Sequence, residues 1–200
     1  MKKVILLIGL ICLFSSERIF SQVIKIENGV SFSKMNVGSA TFRNPLSFYT
    51  VNIGCDYLEK DWFFLSSEIG YVRKGGKGHS DDERGFSEKN TLDCITLNTS
   101  FNVKYNAGGF NLYIGAAPTL DFPLKNEYSS KSPEWNDKWE MYPEHRVVLG
   151  IKPSIGAFYD VDKIRLSLEA SYMKNITKLS KFDGIKNNTF LLSFGIGYKL

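Results

Sequence analysis

The chain has 200 residues, 43% of them hydrophobic and 14% aromatic, which suits one folded domain and excludes disorder throughout. Its 25 basic and 21 acidic residues leave a net charge of +4, and the basic residues are scattered, so no nucleic-acid footprint is present. Mean hydropathy is −0.17 and no apolar run after the first segment approaches the length of a membrane helix. That excludes a helical membrane protein but not a barrel, whose lipid-facing side chains occupy only every second position.

The first segment, MKKVILLIGLICLFSSERIFSQ, places Lys2 and Lys3 before an apolar run from Val4 to Phe14 and then small polar residues. It predicts a secretory signal over 1–21, followed by a single domain over 22–200. The run is too short to span a bilayer. Cys12 follows Ile11 rather than a small residue, so lipid attachment is not expected. Cys55 and Cys94 remain, and their parities put them on opposite faces of their strands, which predicts no disulfide between them.

Eight stretches of about 9 to 14 residues then alternate with period two, the length a tilted strand needs to cross hydrocarbon. The first, near 26–36, is faint and rests on Val30 and Phe32. The second, 47–57, sets Tyr49, Val51, Ile53, Cys55 and Tyr57 against Thr50, Asn52, Gly54 and Asp56. The third, 62–73, sets Phe63, Leu65, Ile69 and Tyr71 against Ser66, Glu68 and Gly70; the fourth, 93–105, sets Ile95, Leu97, Phe101 and Val103 against Thr96, Asn98, Asn102 and Lys104. In the fifth, 110–120, Phe110, Leu112 and Ile114 oppose Asn111, Tyr113 and Gly115, and in the sixth, 146–159, Leu149, Ile151 and Ile155 oppose Gly150, Lys152 and Gly156. The seventh, 164–172, runs Ile164, Leu166, Leu168 against Arg165, Ser167, Glu169, and the eighth, "NTFLLSFGIGYKL", runs Phe190, Leu192, Phe194, Ile196 and Tyr198 against Ser193, Gly195 and Gly197.

Short connections at 58–61, 106–109 and 160–163 carry Asp, Asn, Gly or charge, as tight hairpin turns require, while longer segments fall near 74–90, 122–145 and 174–187. Short turns on one rim and long loops on the other predict an all-β fold, an eight-stranded antiparallel up-and-down transmembrane β-barrel with both termini on the turn side. The small and charged parity suits a narrow lumen, so Glu68, Lys104, Lys152, Arg165 and Glu169 are expected to point inward, pair and fill it. On the apolar parity Tyr49, Tyr57, Phe63, Tyr71, Tyr105, Phe110, Tyr159, Tyr172 and Tyr198 lie near strand ends, like the aromatic girdles of membrane interfaces.

The stretches "EIGYVRKGGKG" at 68–78, "FNVKYNAGGFNLYIGAAPTLDF" at 101–122 and "LSFGIGYKL" at the end resemble the small outer-membrane β-barrel proteins of Gram-negative bacteria, the porin family. The resemblance covers essentially the whole chain after the signal. It implies an outer-membrane location, contact with outer-membrane lipid, and insertion by the barrel-assembly machinery, which reads an aromatic at the end of the last strand. Here Leu200 is last, and Tyr198 stands two residues back on the same face.

Motifs for chemistry are weak. "RKGGKGHS" at 73–80 lacks the Lys-Ser/Thr ending of a phosphate loop, and neither His79 nor His145 has the spaced partners of a metal site or a triad. No catalytic residue, metal or cofactor is expected. In the segment 125–145, Trp135, Trp139, Met141 and Tyr142 among charged residues suit an outer-loop surface for an extracellular partner. The expected role is structural or surface-interacting with a largely filled lumen. A narrow pore for small solutes or ions is the first alternative, and a soluble periplasmic barrel enclosing an apolar ligand the second.

Overall fold

The computed structural model describes residues 23–36, 44–78, 87–141, 147–177 and 186–200; the predicted signal segment, His79, His145 and Tyr142 lie outside the described residues. Among the described residues there are nine strands: β1 (Val23–Asn36), β2 (Asn44–Tyr57), β3 (Phe63–Lys77), β4 (Ser87–Ala107), β5 (Phe110–Ser132), β6 (Trp135–Met141), β7 (Val148–Val161), β8 (Ile164–Asn175) and β9 (Lys186–Lys199). All pairings are antiparallel, in the order β4-β3-β2-β1-β9-β8-β7-β5-β6, and an additional β4–β5 ladder closes the sheet on itself. Eight strands thus form a closed barrel, and β6 pairs only with the part of β5 that runs beyond it.

The hydrogen-bond logic explains the closure. A lone sheet in hydrocarbon would leave the outer edges of its first and last strands unpaired, and closure removes both edges. Here β1 pairs with β9 from Val23↔Lys199 to Asn36↔Lys186, and with β2 from Val23↔Asp56 to Ser33↔Leu46. The faint first strand therefore begins three residues earlier than its apolar pattern indicates. The tight turns fall where the sequence places them: Gly108 and Gly109 both take positive φ (65° and 103°) between Ala107 and Phe110, the backbone of a type I′ hairpin.

Alternation fixes which face meets which medium. Ile24, Ile26, Ile53, Ile69, Ile114, Ile155, Leu168, Phe194 and Ile196 point outward and are exposed, while Lys25, Glu27, Asn52, Glu68, Thr96, Lys152, Arg165 and Glu169 are buried inside. A soluble barrel needs the reverse arrangement, so the reading as a soluble carrier of an apolar ligand is overturned. Cys55 and Cys94 are free thiols, the first on the outer face and the second buried in the lumen. Aromatic rings band the turn rim, with Phe63 stacked on Phe101 (5.5 Å between centroids), Trp62 beside Phe63 (4.5 Å) and Phe110 beside Tyr159 (4.8 Å). Tyr49 and Tyr172 are exposed near the opposite rim.

The loop rim differs from expectation. Strands β3, β4 and β5 continue past the apolar band, and the segment 122–145, read from sequence as a long loop, contains the end of β5 and all of β6, paired from Asn126↔Met141 to Ser132↔Trp135. Beyond hydrocarbon both faces of a strand meet water, so no apolar alternation marks it, yet its backbone ladder still forms.

Candidate functional site: a filled lumen and an aromatic flap

The lumen of an eight-stranded barrel is only wide enough for its own side chains. Glycines on the inward parity make room for long neighbours: a Cβ at Gly70 would strike the Asn52 amide, one at Gly115 the Asn102 amide, and one at Gly156 the Tyr113 ring. Three layers of contacts fill the space.

At mid-barrel Glu68 accepts from two lysines at once, Lys25 Nζ to Oε1 at 2.9 Å and Lys152 Nζ to Oε2 at 3.0 Å, with Asn98 Nδ2 also donating to Oε2 at 3.2 Å. Lys25 also contacts Glu27 at 2.8 Å and Asp56 at 3.3 Å, while Lys152 contacts Glu169 at 2.9 Å. Tyr113 donates its hydroxyl to Glu169 Oε2 at 3.0 Å. Every one of these charged groups is buried. Burial of an ion costs several kcal/mol unless opposite charges and donors surround it, and here each cation touches at least two carboxylates.

Toward the turns the Arg165 guanidinium gathers three acids. It donates to Asp160 (2.8 and 3.0 Å), to Glu59 (3.0 and 3.1 Å) and to Asp56 (3.3 Å), and its plane stacks 3.7 Å above the Phe158 ring centroid. Lys104 donates to Glu59 at 2.6 Å. Phe64, Tyr113 and Phe158 pack between this cluster and the central one, with Phe64 edge to face on Tyr113 (5.3 Å) and on Phe158 (5.7 Å). Toward the loops Val72, Met173 and Leu191 pack together, Lys74 pairs with Asp121, and Met35, Leu92, Cys94 and Val148 form the last buried cluster.

Of the five charged residues selected from sequence, Glu68, Lys152 and Glu169 therefore meet in one group. Lys104 and Arg165 do not touch that group; they meet each other at Glu59, and Asp56 links the two groups. Sequence reading missed Lys25, Glu27, Asp56, Glu59 and Asp160. A signal for the first two exists in "IKIE" at 24–27, where Ile24 and Ile26 alternate with Lys25 and Glu27.

Glu59 sits in the turn after β2. Partial burial pushes its carboxyl up, but the Arg165 and Lys104 cations outweigh this and hold it below its ordinary range. A carboxyl depressed in the folded state stabilises above its unfolded pKa, and that contribution is lost as pH falls through the folded value. Stability measured by urea titration in vesicles is thus expected to fall as pH drops below about 4, with a flatter profile for Glu59→Gln.

On the loop side, β4, β5 and β6 form a flap. Trp135 and Trp139 are half-exposed on it (49% and 47%), and Trp139 packs on Tyr128 with centroids 5.6 Å apart. Tyr128 rests against the Met35, Leu92, Cys94 and Val148 cluster and donates to Glu88 at 2.5 Å, so this face of the flap continues the lumen wall. Met141 ends β6, opposite Asn126.

Closed antiparallel strands with an apolar exterior and a charged, filled interior define a small transmembrane β-barrel. Solved outer-membrane proteins share this fold. The outer membrane protein OprG from Pseudomonas aeruginosa aligns over 90% of this chain and 95% of its own at a TM-score of 0.51 and 9% identity. Neisserial surface protein A aligns over 88% and 97% at 0.49 and 15%, and the outer membrane protease OmpT from Escherichia coli over 93% and 99% at 0.47 and 10%. No family model and no curated protein matches the sequence.

Proposed function

We propose that this chain is a non-catalytic outer-membrane barrel with a closed lumen, whose work is structural or done at its outer surface. One observation carries the reading: Lys25, Glu27, Asp56, Glu68, Lys152 and Glu169, from five strands, meet across mid-barrel where a pore would have to pass. The apolar exterior supports contact with outer-membrane lipid, and the β9 face ending in Tyr198 supports delivery by the barrel-assembly machinery. The half-exposed tryptophans of the flap support an extracellular partner. Against catalysis stands the pairing of the lumen acids with lysine and arginine, which holds them in fixed ion pairs rather than aimed at a substrate.

The test is conductance in planar bilayers. The purified barrel is expected to show no steps of large-porin size, and such steps would refute the closed lumen. A narrow path for small ions is the second reading, favoured by Glu27 Oε2, a buried carboxylate oxygen beside the central group that no protein donor reaches, the kind of atom internal water solvates. Small, cation-selective steps altered by Glu68→Gln would support that reading instead.

A further inference from the structure

The flap carries two faces of different chemistry. On one, Lys125 bridges Glu127 (2.9 Å) and Glu140 (2.6 Å), and Lys131 and Lys138 share the same parity, so acids and bases are mixed there. On the other, alternation and the Tyr128–Trp139 ring contact bring together Asn126, Tyr128 and Ser130 of β5 with Trp135, Asp137 and Trp139 of β6. Among the described residues of β5 and β6, that second face carries no cation. Asn126 and its β4 neighbour Asn90 are 6% and 3% exposed, and the amide oxygen of each lacks a donor. Glu88 joins the same face through Tyr128.

The groups this face offers to a ligand are two half-exposed indole rings with the Asp137 carboxylate between them, and its charged residues in β4, β5 and β6, Glu88 and Asp137, are both acids. Indole faces attract cations through their quadrupole, and a carboxylate and amide oxygens accept from N–H. Trp135 and Trp139 stand four residues apart on one strand, about 13 Å. That is too far for one small cation to touch both rings, and it suits two cationic side chains on one extended chain.

Resting on the surface-interaction reading above, we infer that the Trp135–Asp137–Trp139 face of the flap binds an arginine- or lysine-bearing segment of an extracellular polypeptide. Charge complementarity selects this occupant, since Glu88 and Asp137 with no Lys or Arg on this face of β4, β5 and β6 repel an acidic segment, and a neutral one brings no counter-ion for Asp137 and no cation for the indole rings.

The experiment titrates the refolded full barrel in nanodiscs with the peptide Arg-Gly-Arg-Gly-Arg at about 0.15 M salt, where long-range attraction is screened. Calorimetry and indole fluorescence give the affinity, with Trp62 on the turn rim as constant background. Trp139→Ala and Asp137→Asn are each expected to weaken binding by about three- to tenfold, and Glu140→Gln on the opposite face to leave it unchanged. Heat-modifiable gel migration certifies that each variant is folded. Parental affinity in both flap variants overturns the inference, as does equal binding of the Glu-for-Arg peptide or equal potency of ethylammonium. Conductance of the same nanodisc-competent protein reports separately on the closed lumen, so a non-conducting barrel that ignores the peptide sinks this inference alone.

Discussion

Glu68→Gln is expected to destabilise the barrel by about 3–5 kcal/mol, because it removes the carboxylate that two buried lysines share. The neutral amide retains the shape of the side chain and one acceptor oxygen, so the loss is one of charge rather than of packing. Lys25 keeps Glu27 and Asp56, and Lys152 keeps Glu169, which bounds the cost at the level of one broken buried pair. Reversible urea unfolding in lipid vesicles measures it. Lys152→Met beside Glu68→Gln should cost less than the sum of the single changes, since the second removes a partner already lost to the first. Additive costs would show that the two residues act independently, and a Glu68→Gln barrel as stable as the parent would show that the central group is hydrated rather than dry.

Ile155→Arg is expected to cost about 2–4 kcal/mol in a bilayer, the range for a cation near the midplane of a barrel's lipid face. Ile155 is 60% exposed and stands in the middle of β7, paired with Ile114 on one side and Ala170 on the other. The same exposure on a soluble protein would make the change nearly neutral, within about 0.5 kcal/mol. The substitution therefore reads the medium around the barrel rather than its packing. Val161→Arg, on the same face at the turn rim, is the matched control and should cost about 0–1 kcal/mol. Equal, small effects at both positions would remove the lipid from the outer face.

Legibility in the sequence followed the contrast between media. In β2, β7, β8 and β9 one face meets hydrocarbon and the other a polar lumen, and the alternation Tyr49, Val51, Ile53, Cys55 or Phe190, Leu192, Phe194, Ile196 gives both strand and orientation. Where the contrast disappears so does the signal: the flap strands carry polar side chains on both faces, and only backbone pairing, invisible in composition, turns 125–141 into a hairpin. Lumen contacts were half legible for a related reason. Parity says that Glu68 and Lys152 point inward, but which charge reaches which depends on strand tilt and stagger, properties of the closed barrel that no single strand contains. Thus Lys104 and Arg165 find Glu59 in a turn rather than Glu68 in a strand.

The seam between β1 and β9 joins residues 150 to 176 positions apart along the chain, whereas every other barrel strand neighbours one made shortly before or after it. Hairpins β2–β3, β4–β5 and β7–β8 are local and close little chain, but the seam closes nearly all of it and must form last in any order that adds neighbours stepwise. Until then the growing sheet presents two bare edges, one of them the Ile24–Ile26 strand whose apolar face has no lipid yet to meet. The hazard in this protein's life is thus brief and early: a half-made sheet in water, for which a carrier that masks strand edges would matter more than any bond in the finished barrel.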